Sequence, residues 1–155
     1  MKNLWYYNFP IGTIGIIECN KKIIGIFFKG SEIREDTILL ETPLIKETYI
    51  QLLEYFKGTR KTFNVPLLLK GTSFQNKVWE ALLSIPYGET RTYKQIASQI
   101  GNSKACRAVG LANNHNPICI VVPCHRVIGA NGHLTGYSGG LKVKKYLLGL
   151  EQENL

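Results

Sequence analysis

The stretch 118–128 constrains the fold of this chain more than any other. It opens with Ile118–Val122, an unbroken apolar run rich in β-branched side chains, which is typical of a buried strand. Pro123 should end that strand, because proline has no N–H for a sheet ladder and its φ is fixed. A thiol, an imidazole and a guanidinium follow at 124–126. The sequence therefore predicts an apolar strand that holds a nucleophile still at its tip.

Length and composition indicate a globular protein. The chain has 155 residues, 45% of them hydrophobic, which is enough for one domain or two small ones. No apolar run approaches the roughly 20 residues that a membrane helix needs. The first residues lead into strand-like sequence rather than into a secretion signal. We therefore expect a cytoplasmic protein without a membrane partner.

The cysteines predict neither a disulfide framework nor a metal site. Cys19, Cys106, Cys119 and Cys124 include no Cys-x-x-Cys pair, and no matching His or Cys pair stands at zinc spacing. In a reducing compartment we expect free thiols. Cys119, midway along the predicted strand, is expected to be an inert buried side chain. No metal and no organic cofactor are expected.

The chain is basic, with a formal net charge of +8 and a pI of about 9.4. From Ser73 onward, nine Lys and Arg residues stand against four acidic ones. Such a balance is typical of nucleic-acid binding. It is informative only where the basic side chains lie on an element that can reach DNA.

The first part of the chain predicts a small antiparallel sheet followed by a helix. Runs rich in Ile, Tyr and Phe predict strands at Leu4–Phe9, Gly12–Cys19 and Lys22–Phe28, while 36–40 stays open between strand and loop. Thr42 should cap a helix that starts at Pro43 and ends before Gly58. A further strand is predicted through Phe63 and Val65.

The pattern changes near Leu68–Gly71, so we divide the chain into an N-terminal α/β domain, 1–70, with a supporting role, and a C-terminal domain, 71–155. Helices are predicted in the second domain at Phe74–Ser84, Tyr93–Ile100, Lys104–Asn113 and Leu141–Leu150, the first of them burying Phe74, Val78, Trp79, Leu82 and Leu83. The Gly101–Ser103 turn joins the second and third helices as in a helix-turn-helix, with Ser103 as a helix-start residue. The glycine-rich loop 129–140 is long enough to be functional.

Five blocks of the second domain stand in the order in which they occur in one known family. They are Ile85–Tyr93, Lys104–Gly110, Asn116–Pro117, Pro123–Ile128 and Gly136–Leu141. In these blocks the chain resembles the O6-alkylguanine-DNA alkyltransferases, also called methylated-DNA–protein-cysteine methyltransferases. The likeness covers most of the chain from Phe74 to Glu151, and the first 70 residues share only a general likeness with the family.

The resemblance implies a fold and a reaction. The fold is of the α/β (α+β) class, an N-terminal ribonuclease-H-like α/β domain followed by a C-terminal winged-helix-like domain. The reaction is irreversible transfer of an alkyl group from O6 of guanine to Cys124, with O4-alkylthymine as a further candidate substrate. The protein would react once, because a thioether has no hydrolytic route back to the thiol. The implied partner is double-stranded DNA with alkylated guanine, and also single-stranded DNA, bound by a monomer.

The resemblance also assigns catalytic residues. Cys124 is the nucleophile, since a thiolate suits displacement at an alkyl carbon. His125 is its base through a bridging water, and Glu151 orients the imidazole. Asn116 supports the site, and Tyr93 donates toward the departing purine. Arg126 could bridge a carboxylate or a phosphate, and we expect it to have a supporting role.

Further residues are assigned to the substrate and to DNA. The backbone of Val127 and the side chains of Tyr137 and Ser138 would line the purine pocket. Arg107 would fill the gap that a flipped nucleotide leaves in the stack. Its neighbours on the same helix, Lys104, Ala105, Cys106 and Gly110, would contact DNA.

Alternative interpretations stay open at this point. Arg107 could contact a phosphate, Tyr93 could be a packing aromatic, and Glu151 could be a solvated side chain. An alkyltransferase-like damage sensor would flip the base without chemistry, but such relatives replace the cysteine that is present here as Cys124. A cysteine hydrolase would leave Arg107 unexplained, and a winged-helix regulator would leave Cys124 unexplained.

Overall fold

The fold consists of a sheet unit followed by a helical unit. The computed structural model describes residues 1–30 and 36–155, and the chain divides by its internal contacts into Met1–Leu69 and Lys70–Leu155. In its described residues the first unit is an open sheet with one helix, and the second unit is mainly helical. The predicted α/β class is confirmed. Within the described ranges, no helix has both the length and the apolar character needed to span a bilayer.

The first unit is built on a four-stranded sheet. Its strands are β1 (Lys2–Phe9), β2 (Gly12–Cys19), β3 (Lys22–Phe28) and β4 (Thr37–Leu39), in the spatial order β3-β2-β1-β4. The first three pair antiparallel, and β4 lies parallel to β1. The predicted strands are confirmed, and the stretch that stayed open at 36–40 forms β4.

One helix, α1 (Pro43–Phe56), follows the sheet as the sequence predicts. The hydroxyl of Thr42 accepts from the N–H of Ile45 at 3.2 Å, and proline occupies the first turn, where a missing N–H costs nothing. Gly58, just beyond the last turn, has a φ of +79° and so takes the left-handed conformation that ends many helices.

The strand predicted through Phe63 and Val65 is wrong. The backbone of Asn64 is hydrogen-bonded by the side chain of Gln51, which accepts from its N–H at 2.9 Å and donates to its carbonyl at 3.2 Å. The buried side-chain amide of Gln51 thus pairs with backbone groups that a neighbouring strand would otherwise satisfy. The segment meets the sheet only near Leu67, which forms an isolated parallel bridge with Ile23.

The second unit contains four helices and a short parallel strand pair. Its elements are α2 (Ser73–Leu83), β5 (Arg91–Thr92), α3 (Tyr93–Gln99), α4 (Cys106–Asn114), a 3₁₀ turn (Cys124–Arg126), β6 (Val127–Ile128), a second 3₁₀ turn (Ala130–Gly132) and α5 (Leu141–Glu153). Thr72 and Thr92 start α2 and α3 with reciprocal side-chain caps. Two predicted core positions of α2 are wrong, because Leu83 is 44% exposed and Phe74 is only half-buried.

The start of α4 lies later than predicted. The residue before it is Ala105, whose side chain makes no capping bond, and Ser103 does not cap the helix. A backbone turn, in which Ala105 N–H donates to the carbonyl of Asn102 at 3.0 Å, replaces the predicted side-chain cap. The helix is held against α2 by the indole N–H of Trp79, which donates to the carbonyl of Ala112 at 2.9 Å.

Candidate active site

The segment before Cys124 is a compact pair of turns, so the predicted strand is wrong. Val121 N–H donates to the carbonyl of Cys119 at 2.8 Å across Ile120, whose φ is +72°. Cys124 N–H donates to the carbonyl of Val122 at 2.8 Å across Pro123, with φ −81° and ψ 63°. Both are γ-turns, the first of the strained kind with positive φ. The apolar run reflects burial, which does not distinguish a strand from a buried turn.

The side chain of Asn116 hydrogen-bonds to the backbone at both ends of this pair of turns. Its side-chain carbonyl accepts from the N–H of Ile118 at 3.0 Å, and its amide donates to the carbonyl of Val122 at 2.8 Å. One buried amide thus joins the two ends of the turn. A left-handed β-branched residue such as Ile120 is an outlier that persists only where its surroundings fix it.

Asn113, which the sequence reading did not single out, joins this segment to α4. Its buried side-chain amide donates to the carbonyl of Cys124 at 3.3 Å. The described side-chain contacts of Asn116 stay within the 116–124 segment, so Asn113 provides the link to the helix pair. The sequence could have indicated that Asn113 is buried, since it lies four residues after the buried Val109 on the same helix face.

The three functional side chains of the 3₁₀ turn are buried rather than displayed at a tip. Cys124 is 2% exposed, His125 0% and Arg126 6%. Directly after them, β6 pairs in parallel with β5, so that Val127 faces Arg91 and Ile128 faces Thr92. Because Thr92 caps α3, this pairing fixes the reactive segment beside the first turn of α3.

Glu151 gathers the charged groups of the site. One carboxylate oxygen lies 2.6 Å from Nε2 of His125 and 3.1 Å from a terminal guanidinium nitrogen of Arg126. The other accepts from Nε of Arg126 at 2.8 Å and from the N–H of Gly88 at 2.9 Å. The remaining guanidinium arm donates to the carbonyl of Ile85 at 2.8 Å. The predicted contact between His125 and Glu151 is therefore present in the structure.

These contacts fix the protonation states. Burial alone would raise the pKa of Glu151, but the hydrogen bonds and charges of His125 and Arg126 together lower it to about 2. Burial lowers the pKa of His125 despite the opposing pull of Glu151, so the imidazole is neutral near pH 7. A neutral ring that donates from Nε2 to the carboxylate carries its lone pair on Nδ1.

The Cys124 thiol lies against a second thiol. It hydrogen-bonds with Cys119, and this contact, followed by burial, raises its pKa well above the usual range. Asn116 and the charge of Lys144 act in the opposite direction. Cys124 is therefore mainly a thiol in the free protein, and its activation requires a base. The hydrogen bond from Cys124 lowers the pKa of Cys119, against burial and with help from Ser138.

Lys144 is a functional residue that the sequence reading missed. Its buried ammonium donates to the carbonyls of Val127 at 2.5 Å and Thr135 at 2.7 Å, and burial lowers its pKa to about 8. It shares the buried face of α5 with Leu147 and Glu151. That spacing of three and four residues was the signal available in the sequence.

The residues assigned to the purine pocket surround this lysine and the thiols. The carbonyl of Val127 accepts from Lys144, and the exposed Ser138 places its hydroxyl 3.6 Å from Sγ of Cys119. Tyr137 is buried, and Tyr93 accepts at its phenol oxygen from the hydroxyl of Thr135 at 2.9 Å. The loop 133–140 thus contacts Cys119 through Ser138 and Lys144 through the carbonyl of Thr135.

The residues assigned to DNA lie at the start of α4. Lys104 and Arg107 are exposed, whereas Ala105, Cys106 and Gly110 are half-buried. Gly110 faces α3, since an added methyl group there would lie 3.7 Å from the ring of Tyr93. Among residues 1–30 and 36–155, no group of three or more His, Cys, Asp and Glu side chains could hold a metal ion.

Comparisons with known proteins agree with this geometry. The model of the 6-O-methylguanine DNA methyltransferase DNA binding domain matches residues 73–153, and that of the family's ribonuclease-like domain matches 5–69. A methylated-DNA–protein-cysteine methyltransferase of Methanosarcina acetivorans is 58% identical over 127 residues, which is 81% of each chain. The constitutive enzyme of Bacillus subtilis is 48% identical over 150 residues, 92% of this chain and 91% of that one.

Solved structures show the same relationship. Mycobacterium tuberculosis OGT in complex with DNA superposes with a TM-score of 0.93 at 45% identity, covering 98% of this chain and 94% of that chain. The O6-methylguanine methyltransferase of the same organism superposes with a TM-score of 0.90 at 43% identity, covering 100% of this chain and 95% of that one. The chain therefore belongs to the 6-O-methylguanine DNA methyltransferase family, and it is an enzyme of the methylated-DNA–protein-cysteine methyltransferase class.

Proposed function

We propose that this chain repairs DNA by moving the alkyl group of O6-alkylguanine onto Sγ of Cys124, once per molecule. One observation carries the proposal: the buried Cys124 directly precedes His125, whose Nε2 is hydrogen-bonded to the buried carboxylate of Glu151. A neutral imidazole fixed in this way can accept a proton at Nδ1. The O6–carbon bond of the substrate breaks as the sulfur–carbon bond forms, and the product thioether keeps the alkyl group.

Proton removal from Cys124 is assigned to His125, through a bridging water. Glu151 then stabilises the imidazolium that forms, because its carboxylate stays ionised far below neutral pH. The buried ammonium of Lys144 and the amide of Asn116 favour the thiolate. The guanine leaves with negative charge on its ring, which a hydrogen bond donated by the phenol of Tyr93 can stabilise.

DNA is bound through α3 and α4, which act as a helix-turn-helix. The exposed Lys104 contacts a phosphate, and Arg107 enters the minor groove to occupy the space of the extruded nucleotide. The flipped base meets the loop 133–140, where Tyr137 and Ser138 line the pocket once the loop moves aside. Single-stranded DNA and O4-alkylthymine are further substrates, and the protein acts as a monomer.

Intact-mass measurement after mixing with duplex DNA containing O6-methylguanine tests this proposal. We expect one methyl group in place of one hydrogen per chain, never more than one equivalent, and no gain in Cys124→Ala. Cys19→Ser, in the sheet unit, is the matched control and should gain one methyl group. If the wild-type protein binds the damaged duplex without a mass gain, the transfer proposal is wrong and a damage sensor is favoured.

A further inference from the structure

Cys119 is a second thiol within the site, and the transfer chemistry does not use it. It is 4% exposed and hydrogen-bonds with the thiol of Cys124, which is 2% exposed. Both cysteines are free. The sequence alone indicated an inert side chain here, because buried cysteines usually behave as small hydrophobic residues.

The turns bring the two thiols together. After Cys119 the chain reverses across Ile120, and Cys119 forms a bridge with Val122, two residues before Cys124. Asn116 contacts both sulfur atoms: its backbone carbonyl accepts from Sγ of Cys119 at 3.9 Å, and its side chain hydrogen-bonds with Cys124. The contact between the thiols is thus part of the same hydrogen-bonded turn that positions the nucleophile.

Of the two thiols, Cys119 lies closer to solvent. Its sulfur is 3.6 Å from the hydroxyl of Ser138, which is exposed on the loop 133–140. A small polar oxidant that enters past this loop therefore meets Cys119 first. The contacts that lower the pKa of Cys119 favour its thiolate, the form that reacts with peroxides.

We propose that Cys119 and Cys124 are a redox-active pair that closes an intramolecular disulfide on reaction with a hydroperoxide. The thiolate of Cys119 attacks the peroxide oxygen, which breaks the O–O bond and gives a sulfenic acid and an alcohol or water. The thiol of Cys124 then attacks the sulfenic sulfur, and water leaves as the S–S bond forms. Two thiols are oxidised, one peroxide is reduced, and a dithiol reductant reverses the reaction.

The disulfide has a chemical consequence for Cys124. While it is closed, the sulfur cannot accept an alkyl group, and it is also protected from irreversible oxidation to the sulfinic and sulfonic acids. A disulfide, unlike a sulfinic or sulfonic acid, returns to two thiols when a dithiol reduces it. The pair thus converts an irreversible loss into a reversible one.

Peptide mapping of the full chain tests the pair directly. Trypsin cleaves after Arg107 and Arg126 and leaves both cysteines in one peptide, 108–126, which contains no other Lys or Arg. After brief treatment with hydrogen peroxide and quenching with iodoacetamide, we expect this peptide unalkylated and about 2 Da lighter than its reduced form. Dithiothreitol should restore both thiols, and methyl transfer should return with them.

Cys119→Ser and Cys119→Ala are the informative variants, and Cys19→Ser is the matched control. Under the same peroxide treatment, the Cys119 variants should instead accumulate sulfinic or sulfonic acid at Cys124, whereas the control should form the disulfide. The wild-type peptide mass decides the matter even if a variant fails to fold. Two alkylated cysteines, overoxidation of Cys124 in the wild-type protein, or a disulfide to Cys106 would overturn the proposal. The peptide-mass readouts do not depend on the methyl-transfer function.

Discussion

At the scale of single residues, Glu151 provides the negative charge of the buried site. Its carboxylate is buried and pairs with Arg126 while it holds His125. A buried ion pair is costly to desolvate, and removing one partner is more costly still, because the other charge is left without compensation. The carboxylate therefore has a structural and a chemical role that cannot be separated by removing it.

Replacing Glu151 with Gln should weaken both roles. We expect the free energy of unfolding, measured in urea at pH 7, to fall by about 3–5 kcal/mol, because the guanidinium of Arg126 loses its counter-charge. We expect methyl transfer to slow by about 100-fold or more in single-turnover kinetics, because the imidazolium of His125 is no longer stabilised. Glu153→Gln, at an exposed position of the same helix, should change neither quantity by a comparable amount.

The same carboxylate makes stability depend on pH in a defined direction. The pKa of Glu151 is about 2 in the folded protein against 4.5 ordinarily, so its contribution is complete above pH 4.5 and is lost as pH falls toward 2. The shift corresponds to about 3 kcal/mol. The difference in unfolding free energy between wild type and Glu151→Gln should therefore shrink over this range. A difference that stays constant down to pH 2 would contradict the depressed pKa.

At the scale of elements, the helix pair α3–α4 and the reactive turn are joined by direct backbone and side-chain hydrogen bonds. The carbonyl of Cys124 accepts from Asn113 of α4, and β6 pairs with the strand whose last residue caps α3. A displacement of α4 would therefore be transmitted directly to the segment that carries the thiol. The strained turn at Ile120 is stabilised by the contacts of Asn116 rather than by a sheet.

Arg107 belongs to this scale, because its proposed role depends on where α4 lies. Arg107→Ala should slow repair of O6-methylguanine in duplex DNA by about 10–100-fold, the equivalent of losing part of the few kcal/mol that extrusion of a base costs. Transfer from the free base O6-methylguanine should change little, since no stack has to be opened. Lys145→Ala, at an exposed position of α5, is the matched control and should repair both substrates normally. Equal slowing of the two substrates by Arg107→Ala would exclude a role in base extrusion.

At the scale of the whole molecule, the net charge of +8 favours association with a polyanion. The charge acts through contacts with phosphates, each of which releases counterions when it forms. A basic composition by itself does not say which lysines make these contacts. The position of Lys104, exposed directly before α4, makes it a candidate, whereas Lys46 lies exposed on α1 in the sheet unit.

Salt titrations of duplex binding can separate these lysines. We expect the wild-type affinity to fall steadily with salt concentration, and Lys104→Ala to reduce the slope of log K against log salt by about 1. Lys46→Ala should leave the slope unchanged if the sheet unit has only a supporting role. A wild-type affinity that does not respond to salt would contradict the proposed basic DNA surface.

The sequence by itself determined the elements that depend on neighbouring residues. Thr42 caps α1 as predicted, and the runs rich in Ile, Tyr and Phe placed β1, β2 and β3 correctly. These patterns are readable because a cap or a helix face depends on residues no more than about four positions apart. The contact between His125 and Glu151 was reachable only through the resemblance to a known family.

Tertiary structure alone decided the conformation and the contacts of the buried segments. The apolar run before Cys124 was consistent with a strand, and the side chain of Asn116 made it a turn instead. The same turn brought Cys119 against Cys124, and the fold placed Lys144 of α5 against the carbonyls of Val127 and Thr135. Burial is visible in a sequence, but the partners of a buried group are not, because they come from parts of the chain that only the folded structure brings together.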